Sequence, residues 1–169
     1  HRLNLNAGSN FGKFYFQGSI SQLKQQSFPV SKDFVAKPNE DGDKRENAYR
    51  EDVKYSVKVG FTPKAGDEYA FNYVKQDGQK GNPPYVGNDA KITPAFWQWP
   101  YWDKESYYFL STTGITKSST IKTRLYYDKF GNLLSAFDDN TYTTQKKASS
   151  FQSIYKDDTY GGSVEYNNQ

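Results

Sequence analysis

Along most of the chain apolar and polar positions trade places residue by residue. Leu3, Leu5 and Ala7 alternate with Asn4 and Asn6, and Phe14, Phe16, Gly18 and Ile20 alternate with Tyr15, Gln17, Ser19 and Ser21. Val53, Tyr55, Val57, Val59 and Phe61 alternate with Lys54, Ser56, Lys58 and Gly60, and Tyr69, Phe71 and Tyr73 with Glu68, Ala70 and Asn72. Ile121, Thr123, Leu125 and Tyr127 interleave with Lys122, Arg124, Tyr126 and Asp128, as do Tyr160, Gly162, Val164 and Tyr166 with Gly161, Ser163 and Glu165. A period of two puts one set on each face of a pleated strand. With Glu105 to Thr113 read as a further, less regular strand, the pattern predicts about seven strands and no helix. Several run to about 9–15 residues, which suits the roughly 9–11 that cross a bilayer, where globular strands run about 5–6.

The connections alternate too. Tight turns are expected at Gly8–Gly12, Thr62–Asp67 and Gly114–Ser118, and long polar loops at 25–47, 76–101 and 132–153. An antiparallel up-and-down meander with this rhythm has its short turns at one end and its long loops at the other. Outer-membrane barrels have that anatomy, whereas a soluble sandwich mixes loop lengths and needs a second sheet over its apolar face. A barrel meets lipid instead. The expected fold is therefore all-β, a meander of about seven long strands forming part of a transmembrane β-barrel.

Composition sharpens this picture. Only 35% of residues are apolar, yet 18% are aromatic, with 15 Tyr and 12 Phe against no Met and no Cys. Disordered chains are poor in aromatics, and strands are rich in them. The net charge of +3 is mild and its lysines and arginines are dispersed, so no nucleic-acid partner is implied. Without cysteine, disulfides and thiolate metal sites are excluded. The chain opens on His1-Arg2 with no signal peptide, which reads as a processed product or a piece of something longer.

The runs "YFQGSISQLKQQ", "DVKYSVKVGFTPKAGDEYAFNYVKQDGQKGNPPYV", "FWQWPYWDKESYYFLSTTGI", "IKTRLYYDKFGNLLSAFDDNTYTTQ" and "YKDDTYGGSVEYN" resemble the barrel of TonB-dependent outer-membrane receptors. The resemblance extends over nearly all of residues 1–169. It implies a barrel of about 22 strands around a plug, importing a ferric siderophore or a similar scarce nutrient. It also implies the bacterial outer membrane as location, lipid and lipopolysaccharide as surroundings, the TonB system as energy source and no catalysis. The chain departs from the family pattern in having too few strands, no plug domain and no recognisable TonB-contacting segment. Read this way, residues 1–169 are a slice of barrel wall. Two alternatives stand beside it. One is a complete eight-stranded barrel serving adhesion or envelope integrity. The other is a secreted carbohydrate-binding β module.

Candidate site residues follow from these readings. Trp97, Trp99, Tyr101 and Trp102 crowd around Pro100. They are expected at the rim, where Trp and Tyr anchor barrels at the headgroup level, or packing their loop, or stacking on a ring-bearing ligand. Lys54, Lys58, Lys122 and Arg124, if lumenal, form a basic wall for an anionic ligand such as a ferric chelate, or pair with plug carboxylates. Asn39-Glu40-Asp41-Gly42-Asp43 lacks the ligand spacing of an EF-hand and is expected to be a solvated acidic loop rather than a calcium site. The adjacent pairs Asp138-Asp139 and Asp157-Asp158 read as loop polarity, since neighbours on a strand face opposite ways. The lone histidine, His1, cannot anchor a triad, and no catalytic residue, metal or cofactor is expected.

Overall fold

In a computed structural model, which describes residues 1–168, the chain is one open antiparallel sheet of seven strands paired in sequence order. The strands are β1 (Arg2–Phe11), β2 (Phe14–Gln25), β3 (Arg50–Phe61), β4 (Glu68–Asn82), β5 (Phe96–Gly114), β6 (Ser119–Phe137) and β7 (Phe151–Asn168). The meander and its alternating connections are as the pattern predicts. An eighth strand, which a complete small barrel requires, is not among the described residues, and β1 and β7 pair on one side only.

The first turn is tighter than expected, because β1 runs through Gly8 to Phe11 and only residues 12 and 13 reverse the chain. Gly12 takes φ 63°, the glycine-first geometry that two-residue hairpins favour. The other short turns span 62–67 and 115–118, and Asp67 Oδ1 accepts the Gly114 N–H at 2.8 Å, tying the two together. The long loops are 26–49, 83–95 and 138–150. The first matches the pattern, and the other two are shorter than it suggested, because β4, β5, β6 and β7 continue well past their alternating stretches.

Register sorts the side chains cleanly. Phe14, Phe61 and Tyr69 are partners, then Phe16, Val59, Phe71, Phe109 and Leu125, then Gly18, Val57, Tyr73, Tyr107, Tyr127 and Tyr160. All lie on one face. Among the described residues no second layer covers it, so Phe14, Val59, Phe71 and Leu125 are each about half exposed. The buried apolar residues among those described are Ala48, Ala70, Pro84, Leu134 and Ala136, too few and too small for a core. Most of them sit where the long loops fold back on the sheet.

Candidate functional site

The apolar face is bounded by aromatic rows. At the short-turn end Phe14 stacks on Phe61, ring centroids 4.7 Å apart, and Phe61 meets Tyr69 at 6.5 Å. Toward the long loops Tyr73, Tyr107, Tyr127 and Tyr160 are consecutive register partners across four strands. Tyr107 lies 5.1 Å from Tyr73 and 6.1 Å from Tyr127. One step higher the register row reads Lys75, Glu105, Lys129, Asp158, alternating in sign from strand to strand. Tyr73 and Tyr107 donate to Glu105 at 2.9 and 2.7 Å, and Tyr127 donates to Asp158 at 2.7 Å. A phenol with its ring among apolar groups and its hydroxyl on a charge suits a boundary between oil and water. The alternation along the chain points to the tryptophans and not to this row, because a row across strands is invisible until register is known.

The tryptophans stand elsewhere. They lie inside β5, not in a loop, and the face they occupy is the polar one. Pro100 explains this. β5 carries one extra residue against both neighbours, between Gln98 and Tyr101, which is a β-bulge at a residue that has no N–H for the ladder. The bulge inverts the parity of everything before it. Trp97 and Trp99 therefore join Trp102 on the polar face, while Tyr101 pairs with Leu133 on the apolar face. The three tryptophans thus stand on the face opposite the apolar band, and Tyr101 is separated from them. Trp97 and Trp99 meet edge-on at 6.3 Å, Trp99 and Trp102 at 5.8 Å, and Trp102 and Phe130 at 5.2 Å. The Lys80 ammonium lies 3.7 Å from the Trp102 ring centre and 4.6 Å from that of Trp99, a doubled cation–π contact.

Lys54, Lys58, Lys122 and Arg124 all fall on this polar face. Three of them, Lys58, Lys122 and Arg124, border one open groove of ≈ 350 Å³ together with Glu68 and Glu165, and Lys54 stands apart, nearer the long loops. The wall is mixed rather than purely basic. Lys58 pairs with Glu68 at 3.3 Å, and Glu68 also accepts the Tyr15 hydroxyl. Arg124 lies over Tyr108 and Tyr126 at 5.7 and 5.5 Å. At Gly60 and Gly161 a side chain would run into the Tyr15 and Tyr126 phenols, which occupy the space a Cβ would need.

The long loops converge. Lys37 Nζ donates to Asn88 Oδ1 at 2.9 Å, Arg45 to the Pro84 carbonyl, and Asn140 to the Pro38 carbonyl at 3.4 Å, so loop 26–49 touches both others. Asn47, held at φ 52°, donates to the Asn82 and Trp97 carbonyls beside the bulge. Asp138 organises loop 138–150 by accepting the Ser150 hydroxyl and the Lys146 and Lys147 N–H groups. That hydroxyl and then those amides hold its carboxyl well below the usual range. Tyr142 packs edge-on against Phe96 and Phe137, and burial, with Glu46 nearby, pushes its phenol up to about 12. Asp157 and Asp158, expected in a loop, are instead consecutive residues of β7 on opposite faces.

Comparison with protein-family models, with curated proteins and with solved structures finds no significant match.

Proposed function

We propose that the chain builds part of the wall of a bacterial outer-membrane β-barrel, its apolar face against lipid and its polar face toward an aqueous interior. The observation that carries this reading is the apolar face itself. It is continuous over seven strands, uncovered, and edged by phenylalanines at one end and a tyrosine row at the other. Membrane barrels use such girdles at both interfaces. In a chain with almost no buried apolar core, lipid supplies the burial that a second sheet supplies in a sandwich. The alternating Lys75, Glu105, Lys129 and Asp158 row then stands at the outer headgroups, facing lipopolysaccharide.

Within that reading, the barrel is a receptor that imports a scarce nutrient, a ferric siderophore or similar chelate, with energy delivered through TonB. The supports are the resemblance over residues 1–169, the long loops gathered at one end, and the Lys58, Lys122 and Arg124 groove on the proposed lumenal side. The role is transport and not catalysis. Uptake of radiolabelled ferric chelates by cells with and without the intact protein tests it. Uptake that requires both the protein and TonB supports the receptor. Uptake indifferent to both overturns the receptor and leaves the barrel to be judged separately.

A secreted carbohydrate-binding module is favoured by one observation, the gathering of Trp97, Trp99 and Trp102 on one face. Against it, Lys80 covers the Trp102 ring that a sugar would stack on, and the opposite apolar face would be left in water.

A further inference from the structure

Loop 26–49 buries a carboxylate and satisfies only half of it. Glu40 is 1% exposed. Its Oε2 accepts from Arg45 Nη1 at 2.6 Å and from the Glu46 N–H at 2.9 Å. Its Oε1 is enclosed with no hydrogen-bond partner. An ionised oxygen shut away from water and left unmatched is strongly unfavourable, so such an atom points to something that completes it. This overturns the expectation of a solvated acidic loop at that residue.

Two further carboxylates stand beside it. Glu40, Asp41 and Glu46 each offer an oxygen, and the three oxygens lie within 4.8 Å of one another. The local backbone holds them there. Lys37 and Glu40 exchange N–H to carbonyl bonds at 2.8 and 3.1 Å, closing a small hairpin. Gly42 turns the chain at φ 95°, and Asp41 Oδ1 accepts the Asp43 N–H at 2.9 Å. Arg45 offsets one of the three negative charges, leaving two, the charge of one divalent cation.

We propose that Glu40, Asp41 and Glu46 bind one calcium ion, which completes the orphan oxygen of Glu40 and fixes loop 26–49 against loops 83–95 and 138–150. The donor set favours calcium, which accepts irregular oxygen geometry from carboxylates on a loop, whereas magnesium demands near-ideal octahedral geometry and gives up its waters reluctantly. Hard carboxylate oxygens and the lack of any nitrogen or sulfur ligand in the cluster also suit calcium. The ion would lock the loops because its ligands adjoin the residues that bridge them. Arg45 holds both Glu40 and the Pro84 carbonyl, and Lys37, at the base of the hairpin, holds Asn88. The inference concerns the loops alone and does not rest on the transport reading.

The test is a titration of calcium chloride into the intact, chelator-stripped protein in detergent, followed by calorimetry and by protease cleavage within loop 26–49. The expected result is one saturable site with a dissociation constant of about 10⁻⁴–10⁻³ M, as in extracellular modules, with slower cleavage at saturation and weaker binding of magnesium. Asp41 is exposed and lies outside the Arg45 pair, so Asp41→Asn spares the loop fold while weakening calcium by about tenfold or more; Glu46→Gln does likewise. Absence of both calcium heat and protection, with water alone serving Glu40, overturns the proposal. Wild-type calcium affinity in both variants overturns it equally.

Discussion

A lysine at Val57 would sit in the middle of the apolar band. Val57 lies on the apolar face of β3 between Gly18 and Tyr73, midway from Val53 to Phe61. At about 3.3 Å per residue and a strand tilt of about 40°, each end of that stretch is about 10 Å away along the membrane normal. That is too deep for an easy reach to water, and a lysine at such depth on a barrel's lipid face costs about 2–4 kcal/mol. The unfolding equilibrium should then shift by about 30- to 900-fold, at about 1.36 kcal/mol per factor of ten. Ser56, the next residue, faces the polar side among Ser19 and Asn72, and Ser56→Lys should cost no more than about 0.5 kcal/mol. The assay is reversible denaturant unfolding of the intact protein in lipid vesicles, read by tryptophan fluorescence. Equal costs for Val57→Lys and Ser56→Lys would refute the assignment of lipid to the apolar face. A larger cost for Ser56→Lys would reverse it.

Three other outcomes follow from the packing. Gly60→Ala drives the Tyr15 ring off the backbone and away from Glu68, costing about 1–3 kcal/mol in the same unfolding assay, with recovery in the double variant Tyr15→Ser, Gly60→Ala. Deleting Pro100 removes the extra residue, so Trp99 adjoins Tyr101 and simple alternation keeps Trp97 and Trp99 beside Trp102 on the polar face; near-ultraviolet circular dichroism should keep the coupled tryptophan signal, and its loss would refute the placement of the bulge. Asp138 has a depressed folded-state pKa, so its stabilisation of loop 138–150 is complete above the unfolded value of about 3.9 and drains away as pH falls from there toward the lower folded value. Amide exchange in that loop, compared at matched intrinsic rates, should be unchanged from pH 7 to 5 and accelerate only on stronger acidification, whereas Asp138→Asn should exchange fast throughout.

The strands were legible because their signal is local. Where one face meets apolar surroundings and the other is wet, alternation is forced residue by residue, as from Val53 to Phe61. Past that band both faces are polar, so the upper parts of β4 and β7, such as Gln76–Asn82 and Phe151–Thr159, carry no period and read as loop. The faces of the tryptophans were not legible, since one bulged residue at Pro100 inverts a parity count that otherwise holds along β5. The tyrosine row needed register, which depends on partners up to dozens of residues away. The burial of Glu40 is a tertiary fact, made by Arg45 and the neighbouring loops, and a string reading Asn-Glu-Asp-Gly-Asp looks soluble from end to end.

The chain contains no cysteine, so single cysteines bearing a spin label can be placed one at a time from Val53 to Phe61 in the intact protein in bilayers. Collision with oxygen, which concentrates in lipid, and with a water-soluble nickel complex is then measured at each position. Oxygen access peaking at 53, 55, 57, 59 and 61, with nickel access peaking at 54, 56, 58 and 60, is the predicted result. Nickel access at 57 and 59 equal to that at 56 and 58, or neither reagent reaching 57 and 59, would place water or another protein layer on the apolar face and contradict the membrane-wall account.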